Sequence, residues 1–326
     1  MQYRRLGQTG LIVSALGFGC GAVGGLLVNG SRADMLRGVA HAIDQGITYF
    51  DTAPLYGNGL SEQNLGLVLE ELKASVIVGT KVRPNADAAG PLGPAILQSV
   101  ERSLKALRRE QIDLIQLHNA LGQNRHRDRH WLSVDDIGPV IETFRGLQQA
   151  GKVRFWGING LGETAAVHAA LASGAQTVQS CFNLINPTAG FPAPAGFPFQ
   201  DYRLLIDRAA ERNVGVIAIR ALAGGALSGS ADRHPNAAAH VDPISSGDSF
   251  AADVAWARRF DFLVREGHAG SLPEAAIRFA IGKPEIATTL IGISSFEQLE
   301  QALDAANKPA LSAEALARLQ DVWRAA

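Results

Sequence analysis

The sequence predicts one (β/α)8 barrel of the α/β class, spanning residues 1–326 as a single domain. Three observations carry this. Eight short apolar runs rich in β-branched residues alternate with stretches of helical spacing. No linker, repeat or shift in composition divides the chain, and one α/β barrel accommodates this length. The three connections too long for ordinary loops, residues 119–133, 186–200 and 223–249, all follow strands. In a barrel that places them on the carboxyl face, where sites lie.

The elements follow in order. Thr9-Gly10 reads as a hairpin turn between two short strands. Residues 13–19 form a strand, and 31–45 a helix with Ser31 as N-cap. Residues 47–50 are the next strand, ending at Asp51, and 61–72 a helix opened by Ser61. Residues 76–79 are the third strand, ending at Thr80-Lys81. The helix 94–107 sets Leu97, Val100, Leu104 and Leu107 on one face. The strand 112–117 ends at His118, and the helix 134–150 closes at Gly151.

The second half repeats the alternation. Strands cover 153–158, 177–181, 215–219 and 288–293. Helices cover 164–172, 202–212, 250–266, 272–281, 295–306 and 313–323. A doubly wound open sheet is the competing architecture. It needs a G-x-G-x-x-G turn after its first strand, and Gly17-Phe18-Gly19-Cys20-Gly21-Ala22 lacks the third glycine.

Composition narrows the function. With 30 basic against 31 acidic side chains, nothing electrostatic favours nucleic acid or an anionic membrane as partner. Two cysteines cannot form a disulfide framework, and the reading is a reduced, cytoplasmic protein. The uncharged stretch 10–31 behind Arg4-Arg5 resembles an export signal, but its glycines 17, 19, 21, 24 and 25 would weaken such a helix. It reads better as the first strand and its loop. Glycine makes up 35 of 326 residues, above the usual ~7%. Part of the excess gathers at strand ends, in 17–25, 157–162 and 224–229, where a backbone must pass close to a ligand.

Asp51, Lys81 and His118 close successive strands, and Tyr56 follows Asp51 by five residues. Strand ends converge on one barrel face, so the four can share a site. These residue types suit proton transfer to a carbonyl oxygen. A lysine beside a tyrosine favours the phenolate, an aspartate pairs the lysine, and a histidine can orient the carbonyl. There is no G-x-S-x-G nucleophile motif. The group carries no redox centre, so a cofactor must supply the hydride.

The chain resembles the aldo-keto reductase superfamily in Phe50-Asp51-Thr52-Ala53-x-x-Tyr56-Gly57, Gly79-Thr80-Lys81, Asp113-Leu114-x-Gln116-Leu117-His118 and Gly151-Lys152-Val153-Arg154. The likeness runs over residues 3–303. It implies a barrel with a short amino-terminal hairpin, Tyr56 as general acid/base, Lys81 and Asp51 tuning it, and His118 orienting the substrate. It also implies NADP or NAD laid along the strand ends. Gly19, Cys20 and Asp51 would flank the cofactor, and Asn159 and Gln179 would hold its carboxamide. Ile219 would offer an apolar face where the family stacks an aromatic on the nicotinamide, and Arg220, Ala221, Leu222 and Gly224 would follow toward the pyrophosphate. Gly292, Ser294 and Gln298 would line the segment that meets the 2′-phosphate in NADP-preferring members.

Three departures from the family pattern matter. Gly160 stands in a segment where a hydrogen-bonding pair is usual. Ile219-Arg220 replaces the common Tyr-Ser, which puts a guanidinium near the pyrophosphate unless Arg220 pairs with a carboxylate instead. No lysine or arginine lies between Lys283 and Lys308, where family members that prefer NADP place a charge for the 2′-phosphate. Weak NADP discrimination and use of NAD follow.

The basic run 125–130 reads as a solvated loop that contacts an anionic or hydroxyl-rich substrate or a second subunit, and no metal site is expected. Phe191, Phe197 and Phe199 either line a substrate pocket or anchor their loop. The expected function is an oxidoreductase interconverting a small-molecule carbonyl and its alcohol. An NAD-preferring sugar 1-dehydrogenase is the alternative, and a cofactor-sensing regulatory subunit belongs to a different class. Homo-oligomer formation is left open.

Overall fold

The computed structural model describes residues 1–86 and 91–325. Strands β1 (Tyr3–Arg5) and β2 (Ile12–Ser14) pair antiparallel as the expected hairpin. It turns through Gly7–Thr9 and a left-handed Gly10, φ 72°. The run expected as one strand over 13–19 divides at Ala15. β2 belongs to the hairpin, and β3 (Leu16–Gly19) to the barrel. The division is invisible in a continuous apolar run. The hairpin closes the amino end of the barrel. Leu6, Leu11 and Val13 pack with Tyr49, Leu114, Ile217 and Leu290, and the Arg4 guanidinium donates to the carbonyls of Ile281 at 2.8 Å and Ile286 at 2.7 Å.

Around the barrel, β3 is followed by β4 (Tyr49–Asp51), β5 (Ile77–Val82) and β6 (Ile112–Leu117). The short ladder of β7 (Leu121–Gly122) and β8 (Leu132–Ser133) lies in the next loop. Then come β9 (Val153–Asn159), β10 (Thr177–Cys181), β11 (Gly215–Ile219) and β12 (Ile286–Gly292). The eight barrel strands are parallel, and β12 pairs with β3 to close the ring. An all-parallel sheet must be covered by helices. These are α1 (Leu26–Asn29), α2 (Arg32–Asp44), α3 (Leu60–Leu72), α4 (Leu92–Leu107), α5 (Ile137–Gln149), α6 (Thr164–Ala172), α7 (Leu205–Glu211), α8 (Phe250–Ala257), α9 (Phe262–Arg265), α10 (Leu272–Ile281), α11 (Phe296–Asn307) and α12 (Ala313–Arg324).

Ser31 caps α2 as expected, its side chain accepting from the Asp34 N–H. Ser61 does not cap α3. A left-handed Gly59, φ 92°, opens that helix, and Ser61 is buried inside its first turn. The expected helix 202–212 shortens to α7 because Arg203 and Leu204 take positive φ values of 51° and 58°. The expected helix 250–266 breaks into α8, a 3-10 turn over Arg258–Phe260, and α9. On α4 the buried face is Ile96, Val100, Leu104 and Leu107, while Leu97 is exposed. No described helix is long and apolar enough to cross a membrane.

Candidate active site

Asp51 ends β4, and Lys81 lies inside β5, one residue before its end. Both side chains point into the barrel and are almost wholly buried, at 3% and 1% exposed. The Lys81 ammonium pairs with Asp51 Oδ1. It also donates to the Thr52 carbonyl at 2.9 Å and to Tyr56 Oη at 3.1 Å. Burial opposes its charge, but Asp51 and Tyr56 hold the Lys81 pKa above the usual lysine range.

Asp51 has further support. Its Oδ2 accepts from Gln179 Nε2 at 2.7 Å and from Tyr49 Oη at 3.1 Å. Gly79 on β5 makes room for this, since a Cβ there would sit 2.2 Å from Tyr49 Oη. Tyr49 is two residues before Asp51, so both face inward from one strand. That spacing was the signal available for a residue that motif reasoning missed.

His118 follows β6 and meets Tyr56 edge-on, with ring centroids 5.9 Å apart. Burial, then the charges of Lys81 and Arg83, push its pKa down to about 3. The imidazole is therefore neutral at ordinary pH and can donate a hydrogen bond without carrying charge. The structure thus brings Asp51, Tyr56, Lys81 and His118 together from three strand ends.

A cavity of about 490 Å³ opens above this cluster. Asp51, Tyr56, His118, Asn159 and Gln179 form one end of it. Gly19, Gly24, Ile219, Arg220, Ala221, Leu222 and Gly224 line its length. Gly292, Ser294 and Gln298 line it beside the start of α11. Cys20, the remaining expected contact, does not line it. Its side chain is buried with Sγ 3.7 Å from the Phe18 carbonyl.

Gly24 lies against β12 so closely that a Cβ would stand 2.3 Å from the Ile293 nitrogen. Arg220 donates to the Asp242 carbonyl at 3.2 Å and forms no ion pair among the described residues. The loop after β11 was unreadable from sequence, yet it ties down one side of the cavity. Arg233 donates to the carbonyls of Gly224 at 2.9 Å and Val23 at 3.1 Å. Asn236 donates to the Ser294 carbonyl at 3.0 Å, and Ala238 N–H to the Ala22 carbonyl at 2.9 Å.

Other expected features play supporting parts. Arg125 pairs with Asp136 and so anchors its loop. Phe191 stacks on Phe182 and Phe279, and Phe199 packs on Trp256. None of these phenylalanines lines the cavity, so they anchor the loop. Among the described residues no cluster of three metal-ligating side chains occurs, and Cys20 and Cys181 are free and buried.

A closed parallel barrel with an acid–base cluster at its carboxyl ends and a cavity above it defines the class of α/β-barrel enzymes. Residues 15–324 match the Aldo/keto reductase family, and the chain belongs to that family. L-galactose dehydrogenase of Arabidopsis thaliana is 28% identical over 309 residues, covering 92% of this chain and 86% of its own. Pyridoxal 4-dehydrogenase of Microbacterium luteolum is 32% identical over 199 residues, 52% of this chain and 58% of its own. Among solved structures, the holo form of a Bacillus halodurans aldo-keto reductase aligns with a TM-score of 0.73 at 26% identity, covering 100% of this chain and 97% of its own.

Proposed function

We propose that the chain is an NAD(P)-dependent oxidoreductase that interconverts a carbonyl compound and its alcohol, with Tyr56 as proton donor and acceptor. The observation that carries this reading is the Lys81 ammonium, held at once by Asp51, the Thr52 carbonyl and Tyr56 Oη. When Tyr56 gives its proton to a carbonyl oxygen, the phenolate forms beside a fixed cation. Neutral His118 sits against Tyr56 to direct that oxygen. Asp51 keeps the ammonium in place through Lys81, while Gln179 and Tyr49 keep Asp51 in place.

The cavity fits a dinucleotide. Asn159 Oδ1 is buried without a partner among the described residues and lines the nicotinamide end, as an acceptor for a carboxamide N–H would. Gln179, bonded to Asp51 through Nε2, keeps its oxygen for the same purpose. Arg220 suits the pyrophosphate, and Gly24 lets the backbone wall lie close. When bound, the nicotinamide supplies or takes the hydride.

An NAD-preferring dehydrogenation of a sugar is the second reading. Ser294 and Gln298 beside the start of α11 are neutral, and Gln298 Oε1 accepts from the Ser294 N–H at 3.0 Å. This segment offers a 2′-phosphate no charge-assisted bond, each worth about 1.5–3 kcal/mol, so NADP gains little over NAD from it. The basic side chains lining the cavity, Arg220, Arg233 and His234, come from the loop after β11. The L-galactose dehydrogenase likeness supports a sugar as the substrate. The two buried, unpaired thiols suit a cytoplasmic setting.

The test is absorbance at 340 nm with aldehydes, ketones and aldoses and each cofactor in turn. Turnover with both is expected, with an NADPH preference in kcat/KM below a hundredfold. Tyr56→Phe is expected to lower kcat by about 10²–10⁴ and leave nucleotide affinity nearly unchanged. An unchanged kcat refutes the role of Tyr56, and a larger NADPH preference refutes the neutral-pocket argument.

A further inference from the structure

One buried carboxyl near the cluster has no part in the chemistry above. Glu62 lies in the first turn of α3 and is only 3% exposed. Its Oε1 accepts from Thr80 Oγ1 at 2.6 Å. Thr80 directly precedes Lys81 in β5 and faces the opposite side of the sheet. The neighbouring residue works in parallel. Ser61 Oγ donates to the Cys20 carbonyl at 2.8 Å and meets Thr52 Oγ1 at 2.7 Å. The Thr52 carbonyl is in turn a Lys81 acceptor. The start of α3 therefore grips the ends of β3, β4 and β5 from outside the barrel.

A carboxyl in such a place is costly without a reason. Burial pushes the Glu62 pKa up, and the hydrogen bond from Thr80 and the charges of Lys81 and Arg102 pull the other way. On β5 Thr80 faces Glu62 while Lys81 faces the barrel interior, and Arg102 and Ser103 lie on α4, packed against α3. Lys81 is thus flanked by two acidic side chains, Asp51 inside the barrel and Glu62 behind the strand.

We propose that Glu62 is a positioning residue for the Lys81–Tyr56 pair. It acts through Thr80 on the backbone that carries Lys81, and by its charge on the ammonium itself. The inference rests on the oxidoreductase reading of the site. An ionised Glu62 shares the field of Lys81 and leaves less of it to stabilise a Tyr56 phenolate. Removing that charge while keeping the shape strengthens the hold of Lys81 on the phenolate.

Glu62→Gln is the test, since the amide oxygen still accepts from Thr80. Four tyrosines occur in the chain, and burial holds Tyr49 and Tyr202 well above the usual range. Tyrosinate absorbance at 295 nm, taken with and without Tyr56→Phe, therefore isolates Tyr56 without any turnover. In Glu62→Gln the Tyr56 component is expected to move to lower pH by about half a unit or more. The pH profile of kcat for alcohol oxidation is expected to move the same way, with the NADH dissociation constant within about twofold of the parent.

Thr80→Val cuts the link and removes one group that favours the ionised carboxyl, so it is expected to lower kcat severalfold with KM unchanged and the midpoint no higher than the parent's. It also serves if Glu62→Gln folds poorly. A Glu62→Gln titration that superimposes on the parent, or moves to higher pH, overturns the proposal. If the parent protein turns over no carbonyl or alcohol, the oxidoreductase reading fails, and the 295 nm comparison still decides the role of Glu62.

Discussion

Replacing Lys81 by methionine tests whether the buried pair is ionised and what it does. The side chain is 1% exposed and its ammonium makes the ion pair with Asp51. Removing one partner of a buried pair leaves the other charge uncompensated, at a cost of about 3–5 kcal/mol. Here Asp51 keeps two donors on Oδ2, Gln179 at 2.7 Å and Tyr49 at 3.1 Å, which sets the expectation at the low end, about 3 kcal/mol. Methionine is unbranched and fills the lysine channel without strain. Adding Asp51→Asn removes the stranded charge. The double variant is then expected to lie within about 1.5 kcal/mol of the parent, the scale of a lost hydrogen bond.

Urea unfolding measures both, followed by tryptophan fluorescence and far-UV circular dichroism, with coincident transitions as the condition for quoting a free energy. Turnover should fail in both variants alike, because neither places a cation at Tyr56. The double variant thus separates stability from catalysis. If single and double variants unfold at the same urea concentration, Asp51 is not a charge that depends on Lys81, and the electrostatic account of the cluster is wrong.

Two further outcomes follow. Arg220→Ala is expected to weaken NADH and NADPH binding about tenfold to hundredfold, the effect of one charge-assisted hydrogen bond of about 1.5–3 kcal/mol. An unchanged dissociation constant by fluorescence titration would mean that Arg220 serves only to hold the Asp242 carbonyl. His118 has its pKa lowered to about 3 in the folded protein, while an unfolded histidine takes its proton near 6.5. The unfolded chain thus binds the extra proton between those values, so stability is full above about pH 6.5 and declines as pH falls toward 3. Urea midpoints of His118→Gln should fall less steeply over that window, and parallel slopes would contradict a neutral, buried imidazole.

The barrel is legible because its signals are local and repeated. Each strand is a short apolar run, and the helix cap at Ser31 is an ordinary N-cap residue. Asp51, Lys81 and His118 are legible as polar residues where such runs end. The supports of those residues are less so. Tyr49 looks like any aromatic in a strand, and only the two-residue spacing from Asp51 betrays it. Glu62 looks like a surface helix residue, because nothing local says that α3 presses it against Thr80. The loop after β11 carries no periodicity, and its bonds to Ala22 and Val23 span more than 200 residues, that to Ser294 58. The break at Ala15 escapes because both of its sides are apolar.

The seam between β3 and β12 also has a consequence in time. The first barrel strand finds its second neighbour only in the last one, and Arg4 finds its carbonyl acceptors at Ile281 and Ile286. A ribosome adding roughly 5–20 residues per second needs about 15–55 s to bridge that gap. Throughout that interval the growing chain holds an open, apolar strand edge with nothing to pair it. The risk of mispairing during synthesis is therefore set by translation speed, and it ends only when the carboxyl-terminal strand reaches the edge that the amino terminus left open.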